Sequence, residues 1–198
     1  IVDAKPDYMG LVFAPSKRQV TVEQAKILIE ELHKQCINHY DIKVVKTVGV
    51  FVNETLDNLV RIADTANLDA VQLHGDEDEA FIQSLKERTN VEVWKAVQIR
   101  SAADAEAWID SSADMLLFDA YHKDERGGMG EVFDWSCLDE FERPFMLAGG
   151  IDSTNVARAI RTVRPYGIDI SSGIETKGVK DDEKIKAFTN IVRTIAMP

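Results

Sequence analysis

The sequence is poor in the residue patterns that bind metals. Its 198 residues include two cysteines, Cys36 and Cys137, which form no CxxC pair, and four histidines, which form neither an HxxxH nor an HExxH motif. Because structural and catalytic metal sites draw on such spacings, we expect no bound metal. The wide separation of the cysteines favours reduced core thiols over a disulfide, which predicts a cytoplasmic protein.

Long apolar segments and an excess of positive charge are also missing. The longest apolar runs fall far below the ~18 residues of a membrane span, so we expect no membrane contact. The formal net charge of −11 argues against nucleic acid as a partner. An anionic substrate would therefore have to be held by local features of a site. A hydrophobic content of 45% and a charged content of 29% are typical of a globular domain.

Short apolar runs alternate with helical patterns along the whole chain. The predicted strands are 8–13, 43–52, 70–73, 91–97, 115–118, 145–148 and 168–170. The predicted helices begin near 21, 53, 78, 101, 133, 153 and 181. Such alternation is typical of an α/β fold with a parallel sheet covered by helices. An open doubly wound sheet can use seven strands, whereas a closed barrel needs eight.

The start of the chain favours the barrel. Residues 1–6 resemble the last turn of a helix and include no initiator methionine. We therefore expect the first strand and most of the first helix to be absent from the printed sequence. The prediction is a TIM (β/α)8 barrel, with residues 1–198 forming a single domain that holds strands two to eight.

Two glycine-containing turns follow the last two predicted strands. The first strand ends in Gly149 and Gly150, and the second in Ser171, Ser172 and Gly173. Glycine lets the backbone approach a ligand closely, and N–H groups near a helix start attract anions. In TIM barrels a phosphate commonly binds after strands seven and eight. The tandem turns therefore predict a phosphate site, although each could be an ordinary tight turn.

Seven segments with strand-end and turn residues follow one another along the chain. They are GLVFAPSKR at 10–18, VGVFVN at 48–53, VQLHG at 71–75, LFD at 117–119, GGMG at 127–130 with FDW at 133–135, LAGG at 147–150 and DISSG at 169–173. Taken together and in this order, they resemble the phosphoribosylanthranilate isomerase family. The resemblance implies the Amadori rearrangement of N-(5-phosphoribosyl)anthranilate, an intramolecular aldose–ketose isomerisation, in tryptophan biosynthesis. It also implies that no cofactor is needed.

The resemblance assigns Asp119 as the general acid. Asp119 follows four apolar residues at a strand end, where partial desolvation would raise its pKa and keep a proton available. By its position alone it could equally cap a helix or pair with a basic residue. The family's general base is a cysteine in a Lys-x-Cys-Gly motif that this sequence lacks. Neither Cys36 nor Cys137 fits that role, so we expect the base N-terminal to Ile1.

Further residues match the family's substrate site. Arg18 resembles the residue that holds the anthranilate carboxylate, while its neighbour Lys17 reads as a surface residue. Gln72 and His74 lie two apart on one strand and so share a face. His74 is equally compatible with a structural role. Asp169 lies in the last predicted strand, where an inward carboxylate would either be hydrogen-bonded within the protein or serve the substrate's amine or hydroxyls.

Other functions remain open at this point. The histidine-pathway isomerase has an internal repeat that we do not find, and indole-glycerol-phosphate synthase needs a set of lysine and glutamates that does not accompany Lys95. A barrel that lacks its base would bind phosphate ligands without turnover. For the isomerase we expect a phosphosugar substrate and a monomer or homodimer.

Overall fold

The computed structural model describes residues 4–38, 45–120 and 134–195. Its strands are β1 (Tyr8–Val12), β2 (Lys46–Phe51), β3 (Ala70–Leu73), β4 (Glu92–Ile99), β5 (Met115–Ala120), β6 (Phe145–Ala148), β7 (Gly167–Ile168), β8 (Glu175–Thr176) and β9 (Val179–Lys180). Its α-helices are α1 (Val22–Asn38), α2 (Leu56–Ala66), α3 (Glu79–Lys86), α4 (Ala102–Glu106), α5 (Val156–Val163) and α6 (Asp182–Thr194). Short 3-10 helices cover Trp135–Leu138 and Ser172–Ile174.

Within the described residues, strands β1 to β7 form one sheet whose spatial order equals the chain order. The pairs β1–β2, β2–β3, β3–β4, β5–β6 and β6–β7 are all parallel. Strands β8 and β9 form a separate antiparallel hairpin. The predicted α/β fold with a parallel sheet is confirmed.

The chain divides into two compact units. The first unit is Ile1–Ala96 with Ser111–Met115, and the second is Val97–Asp110 with Leu116–Pro198. In the first unit Val50 lies opposite both Val12 and Gln72 in the parallel ladder. In the second unit Leu147 lies opposite both Phe118 and Ile168.

Helices α2 and α5 show how the apolar spacing places each helix. The buried residues of α2 are Leu59, Ile62, Ala63 and Ala66, and those of α5 are Val156, Ala159, Ile160 and Val163. Both sets follow the i, i+3, i+4, i+7 pattern of a single helical face. None of the helices in the described ranges is long and apolar enough to cross a membrane.

The predicted helix starts are partly confirmed. Gln24 N donates to Thr21 Oγ1 at 3.2 Å and Thr21 N donates to Gln24 Oε1 at 2.8 Å, which is the predicted capping box. Asp78 caps α3 by accepting from Phe81 N at 2.9 Å. The prediction that Asn53 caps α2 is wrong. Asn53 has a left-handed φ of 52°, and the N-cap residue is Thr55.

The last third of the chain also departs from expectation. Strand β7 ends at Ile168, so Asp169 lies just beyond the strand instead of within it. Helix α5 begins at Val156, three residues later than predicted. The hairpin of β8 and β9 separates the turn at Ser172–Ile174 from α6, and no sequence pattern indicated it. The glycine-rich stretch 126–130 and the helix start at Phe133 lie outside the described residues.

Candidate active site

In the first unit, Gln72 and His74 lie at the C-terminal end of β3. The side chain of Gln72 is buried, and its Nε2 lies 2.9 Å from His74 Nδ1. With the amide nitrogen as the donor, Nδ1 is the acceptor, which corresponds to the tautomer with its proton on Nε2. The backbone N of His74 donates to Phe51 O at 2.8 Å, which fixes the strand end. The two side chains meet on one face, as the alternation of the strand predicts.

A buried ion pair lies beneath the turn that follows His74. Lys95 Nζ and Glu77 Oε2 are 3.3 Å apart, and each side chain is 3% exposed. Lys95 Nζ also donates to Gly75 O at 2.7 Å, while Gly75 N donates to Glu77 Oε2 at 2.8 Å. Burial lowers the pKa of Lys95, and the charge of Glu77 opposes this effect. Sequence reasoning placed Lys95 in a strand but gave it no role. A lysine inside an apolar strand was the sequence feature that could have indicated a buried ion pair.

Arg18 lies in the exposed loop that follows β1. Its backbone N donates to Ser16 Oγ at 3.1 Å. Gln19 Nε2 donates to Phe13 O at 2.9 Å and so ties the end of the loop to its beginning. Lys17 is exposed as well. The loop presents two adjacent cations, of which the guanidinium has the forked geometry that suits a carboxylate.

In the second unit, Asp119 lies on β5 directly opposite Ala148 of β6. The side chain is half-buried, after three buried residues of the same strand. Asp119 is therefore paired with the residue that directly precedes the first glycine turn. The strand pairing thus brings the predicted acid and the predicted phosphate site to the same edge of the sheet.

The turn at Gly149 and Gly150 requires glycine. Both residues have left-handed φ values, 81° and 61°. Other L-residues rarely adopt this backbone conformation. Asn155 holds the turn with its side-chain amide, because Nδ2 donates to Gly150 O at 2.8 Å and Oδ1 accepts from Asp152 N at 2.9 Å.

The second turn, at Ser171, Ser172 and Gly173, packs against the first. A Cβ added to Gly173 would overlap Ile151 O and lie 3.2 Å from Asp152 Cα. Lys180 Nζ donates to Ser171 O at 2.7 Å and lies 3.1 Å from Glu175 Oε1. The backbone of Gly173 therefore lies against Ile151 and Asp152, the residues that directly follow Gly149 and Gly150.

Asp169 lies at the start of the second turn. Its backbone N donates to Leu147 O at 2.9 Å, which continues the β6–β7 ladder by one bond. The residue is exposed. A carboxylate there is accessible to the hydroxyls or amine of a ligand.

Neither cysteine has the environment of a general base. Cys36 is buried in α1, in a cluster with Leu32 and Val45. Burial, and then the charge of Asp134, raises the pKa of Cys137, which disfavours the thiolate. In the ranges 4–38, 45–120 and 134–195, no three His, Cys, Asp or Glu side chains are placed to hold a metal together.

Comparison with known proteins gives the family. A family model described as N-(5'phosphoribosyl)anthranilate (PRA) isomerase matches residues 1–191. The chain belongs to the phosphoribosylanthranilate isomerase family. A relative from Thermoanaerobacter sp. (strain X514), named N-(5'-phosphoribosyl)anthranilate isomerase, is 47% identical over 195 residues, covering 98% of this chain and 90% of the relative. A relative of the same name from Clostridium acetobutylicum is 42% identical, covering 96% and 88%.

Solved structures of phosphoribosylanthranilate isomerases are also similar to this chain. The crystal structure of the Thermotoga maritima enzyme has a TM-score of 0.84 and 35% identity, covering 98% of this chain and 91% of its own. Another isomerase structure, in complex with reduced 1-(o-carboxyphenylamino)-1-deoxyribulose 5-phosphate, has a TM-score of 0.80 and 33% identity, with the same coverage. The predicted family resemblance is confirmed.

Proposed function

We propose that this chain catalyses the Amadori rearrangement of N-(5-phosphoribosyl)anthranilate to 1-(2-carboxyphenylamino)-1-deoxyribulose 5-phosphate in tryptophan biosynthesis. The observation that carries the proposal is the match of residues 1–191 to the isomerase family. It is supported by a similar solved isomerase that holds the reduced form of this product.

The reaction begins with a proton donor at the furanose ring oxygen. Asp119 is the acid of this proposal, because it lies half-buried at the end of a parallel strand, beside the glycine turns. Protonation opens the ring to an iminium, a base removes the C2 proton, and the resulting enolamine tautomerises to the ketone. We assign no residue of the described ranges as this base, and the eight-stranded barrel remains a prediction.

The substrate carries two anionic groups, and the proposal gives each its own binding residues. The phosphate is bound by the turns at Gly149, Gly150 and 171–173, and Gly173 lies against Ile151, the residue after the first turn. The anthranilate carboxylate is bound by Arg18.

The other polar groups of the substrate are assigned to His74 and Asp169. His74 Nε2–H is a donor for a substrate oxygen, and Gln72 fixes its ring. Asp169 accepts from the ribose hydroxyls or the amine.

A turnover assay tests the function. The purified protein is mixed with freshly prepared aminoaldose, and the aminoketose is quantified by chromatography. We expect conversion with the wild type and growth without tryptophan when the gene is supplied to a strain that lacks this isomerase. Binding of the reduced product analogue without any conversion would instead support the non-catalytic phosphate-ligand barrel.

The oligomeric state stays a prediction of monomer or homodimer. A crystal structure of monomers generated from the dimeric Thermotoga maritima enzyme has 33% sequence identity to this chain. Sedimentation velocity of the purified protein at several concentrations distinguishes the two states.

A further inference from the structure

The ion pair of Lys95 and Glu77 encloses the residue that follows His74. Both backbone groups of Gly75 bind this pair, since the N–H donates to Glu77 Oε2 at 2.8 Å and the C=O accepts from Lys95 Nζ at 2.7 Å. His74 N is held by Phe51 O at 2.8 Å. The backbone on both sides of the imidazole is therefore fixed by hydrogen bonds.

The same pair also holds the turn after β2. Glu77 Oε1 accepts from Asn53 N at 2.6 Å, and Asn53 Oδ1 accepts from Asp76 N at 2.7 Å. A Cβ on Gly75 would overlap the side chain of Asn53. One carboxylate thus joins the ends of two neighbouring strands around the position of His74.

Stability alone is a weak reason for such a pair. Removing both charges from water is costly, and well-packed neutral side chains often replace a buried ion pair without loss of stability. Both side chains here are 3% exposed. What the pair provides is geometry, because its bonds are directional and end on the Gly75 peptide and on Asn53.

We propose that Lys95 and Glu77 are positioning residues that hold the Gly75 peptide and thereby orient the His74 imidazole for the substrate. The proposal rests on the proposed function, in which His74 contacts the substrate. Lys95 acts through Gly75 and Glu77, because its ammonium group is buried and bonded to both.

The test removes both charges together. In Lys95→Met/Glu77→Gln no unpaired charge remains, but the amide offers one acceptor oxygen to the two N–H groups of Gly75 and Asn53. We therefore expect the unfolding temperature to fall by roughly 2–12 °C, less than in the single variant. The single Lys95→Met leaves Glu77 buried alone and should lower it by roughly 6–20 °C. The matched control is Lys46→Met/Glu92→Gln, which applies the same substitutions to an exposed pair of the same unit, 2.6 Å apart.

Kinetics separate positioning from folding. A purely structural role would reduce the folded fraction, which lowers the apparent kcat but leaves KM unchanged. A misplaced His74 weakens substrate binding, so we expect KM to rise about tenfold or more in the double variant. The control variant should keep the wild-type KM.

The imidazole provides a second readout that does not need turnover. In the ligand-free wild type, the ring ¹⁵N spectrum should show His74 as the Nε2–H tautomer, with the signal identified by its loss in His74→Gln. In the double variant we expect this signal to shift or to change tautomer. The control variant should leave it in place.

Either readout can overturn the proposal. A folded double variant with wild-type His74 signals, or with KM within twofold of wild type, contradicts it. If the wild-type protein does not turn over the aminoaldose, the proposed function fails. The dissociation constant of the reduced product analogue then replaces KM, so the positioning role is still decided.

Discussion

Gly173 lies directly against the carbonyl oxygen of Ile151, with no space for a side chain between them. This approach joins the turn after β7 to the turn after β6, although 21 residues lie between Ile151 and Gly173 in the sequence. The peptides that we propose to bind phosphate are thus held at a fixed separation by backbone contact.

Replacing Gly173 with alanine should disrupt the proposed phosphate site. The new methyl group overlaps Ile151 O, a backbone atom, so one of the turns must move. We expect KM for the aminoaldose, and the inhibition constant of inorganic phosphate, to rise about tenfold or more, as expected when ~1.4 kcal/mol or more of binding energy is lost. The control is Gly10→Ala on β1, where the new Cβ would meet only Val50 at 4.0 Å. If the inhibition constant of inorganic phosphate in Gly173→Ala equals that of the wild type, the second turn does not form part of the phosphate site.

Asp119→Asn should stop the chemistry and spare binding. The amide cannot deliver a proton to the ring oxygen, and a positioned acid contributes typically ~10²–10⁴-fold to the rate. We therefore expect kcat to fall by about that factor, while the dissociation constant of the reduced product analogue stays within about twofold of wild type. Asp139→Asn, at an exposed position of the same unit, serves as the control. If Asp119→Asn retains wild-type turnover, Asp119 is not the general acid.

The fold was largely predictable because each element carries its own local signal. Residues 145–148 form an apolar run bounded by proline and glycine, and they are all buried in β6. The capping box of Thr21 and Gln24 forms as its spacing predicts. Asn53 shows the limit of local signals. Its side chain binds Asp76 of the next strand end, a partner 23 residues away that no local pattern identifies.

The candidate site was predictable where it depends on residue type and order. The glycine turns and Asp119 stand at strand ends that the apolar runs define. The hairpin of β8 and β9 was missed because each strand has two residues, too few for any periodicity. The bonds of Lys95 were missed because they depend on how Gly75 and Glu77 fold back onto β4, which is a tertiary arrangement.

Arg18 should contribute to binding through its planar fork. Arg18→Ala removes the cation and Arg18→Lys removes the bidentate geometry, so both should raise KM for the aminoaldose, with alanine having the larger effect. Loss of a charge-assisted hydrogen bond, worth about 1.5–3 kcal/mol, corresponds to roughly 10–150-fold for alanine. Lys17→Ala, in the same exposed loop, is the control and should change KM little. An analogue without the carboxylate should bind wild type and Arg18→Ala equally; a remaining difference would show that Arg18 binds another group.

The carboxylate of Asp104 should make stability depend on pH at the start of α4. Its Oδ2 accepts from the backbone N–H groups of Arg100 and Ser101, both at 2.9 Å. These bonds lower the pKa of Asp104, with the Arg100 N–H as the largest cause. A folded-state pKa below the unfolded value of about 3.9 means that the stabilisation is complete above that pH and is lost as the pH falls through the folded-state value.

Asp104→Asn tests this linkage. At neutral pH we expect the variant to lose about 0.3–1 kcal/mol of unfolding free energy in urea, because the amide keeps an acceptor oxygen but loses the negative charge near the helix N-terminus. The difference from wild type should stay constant down to about pH 5 and shrink below about pH 4, because protonation weakens the wild-type cap. Asp110→Asn, at an exposed position four residues after the end of α4, is the control. Its difference from wild type in unfolding free energy should not shrink in this way as the pH falls. A difference that persists unchanged at about pH 2.5 would mean that the charge of Asp104 does not stabilise α4.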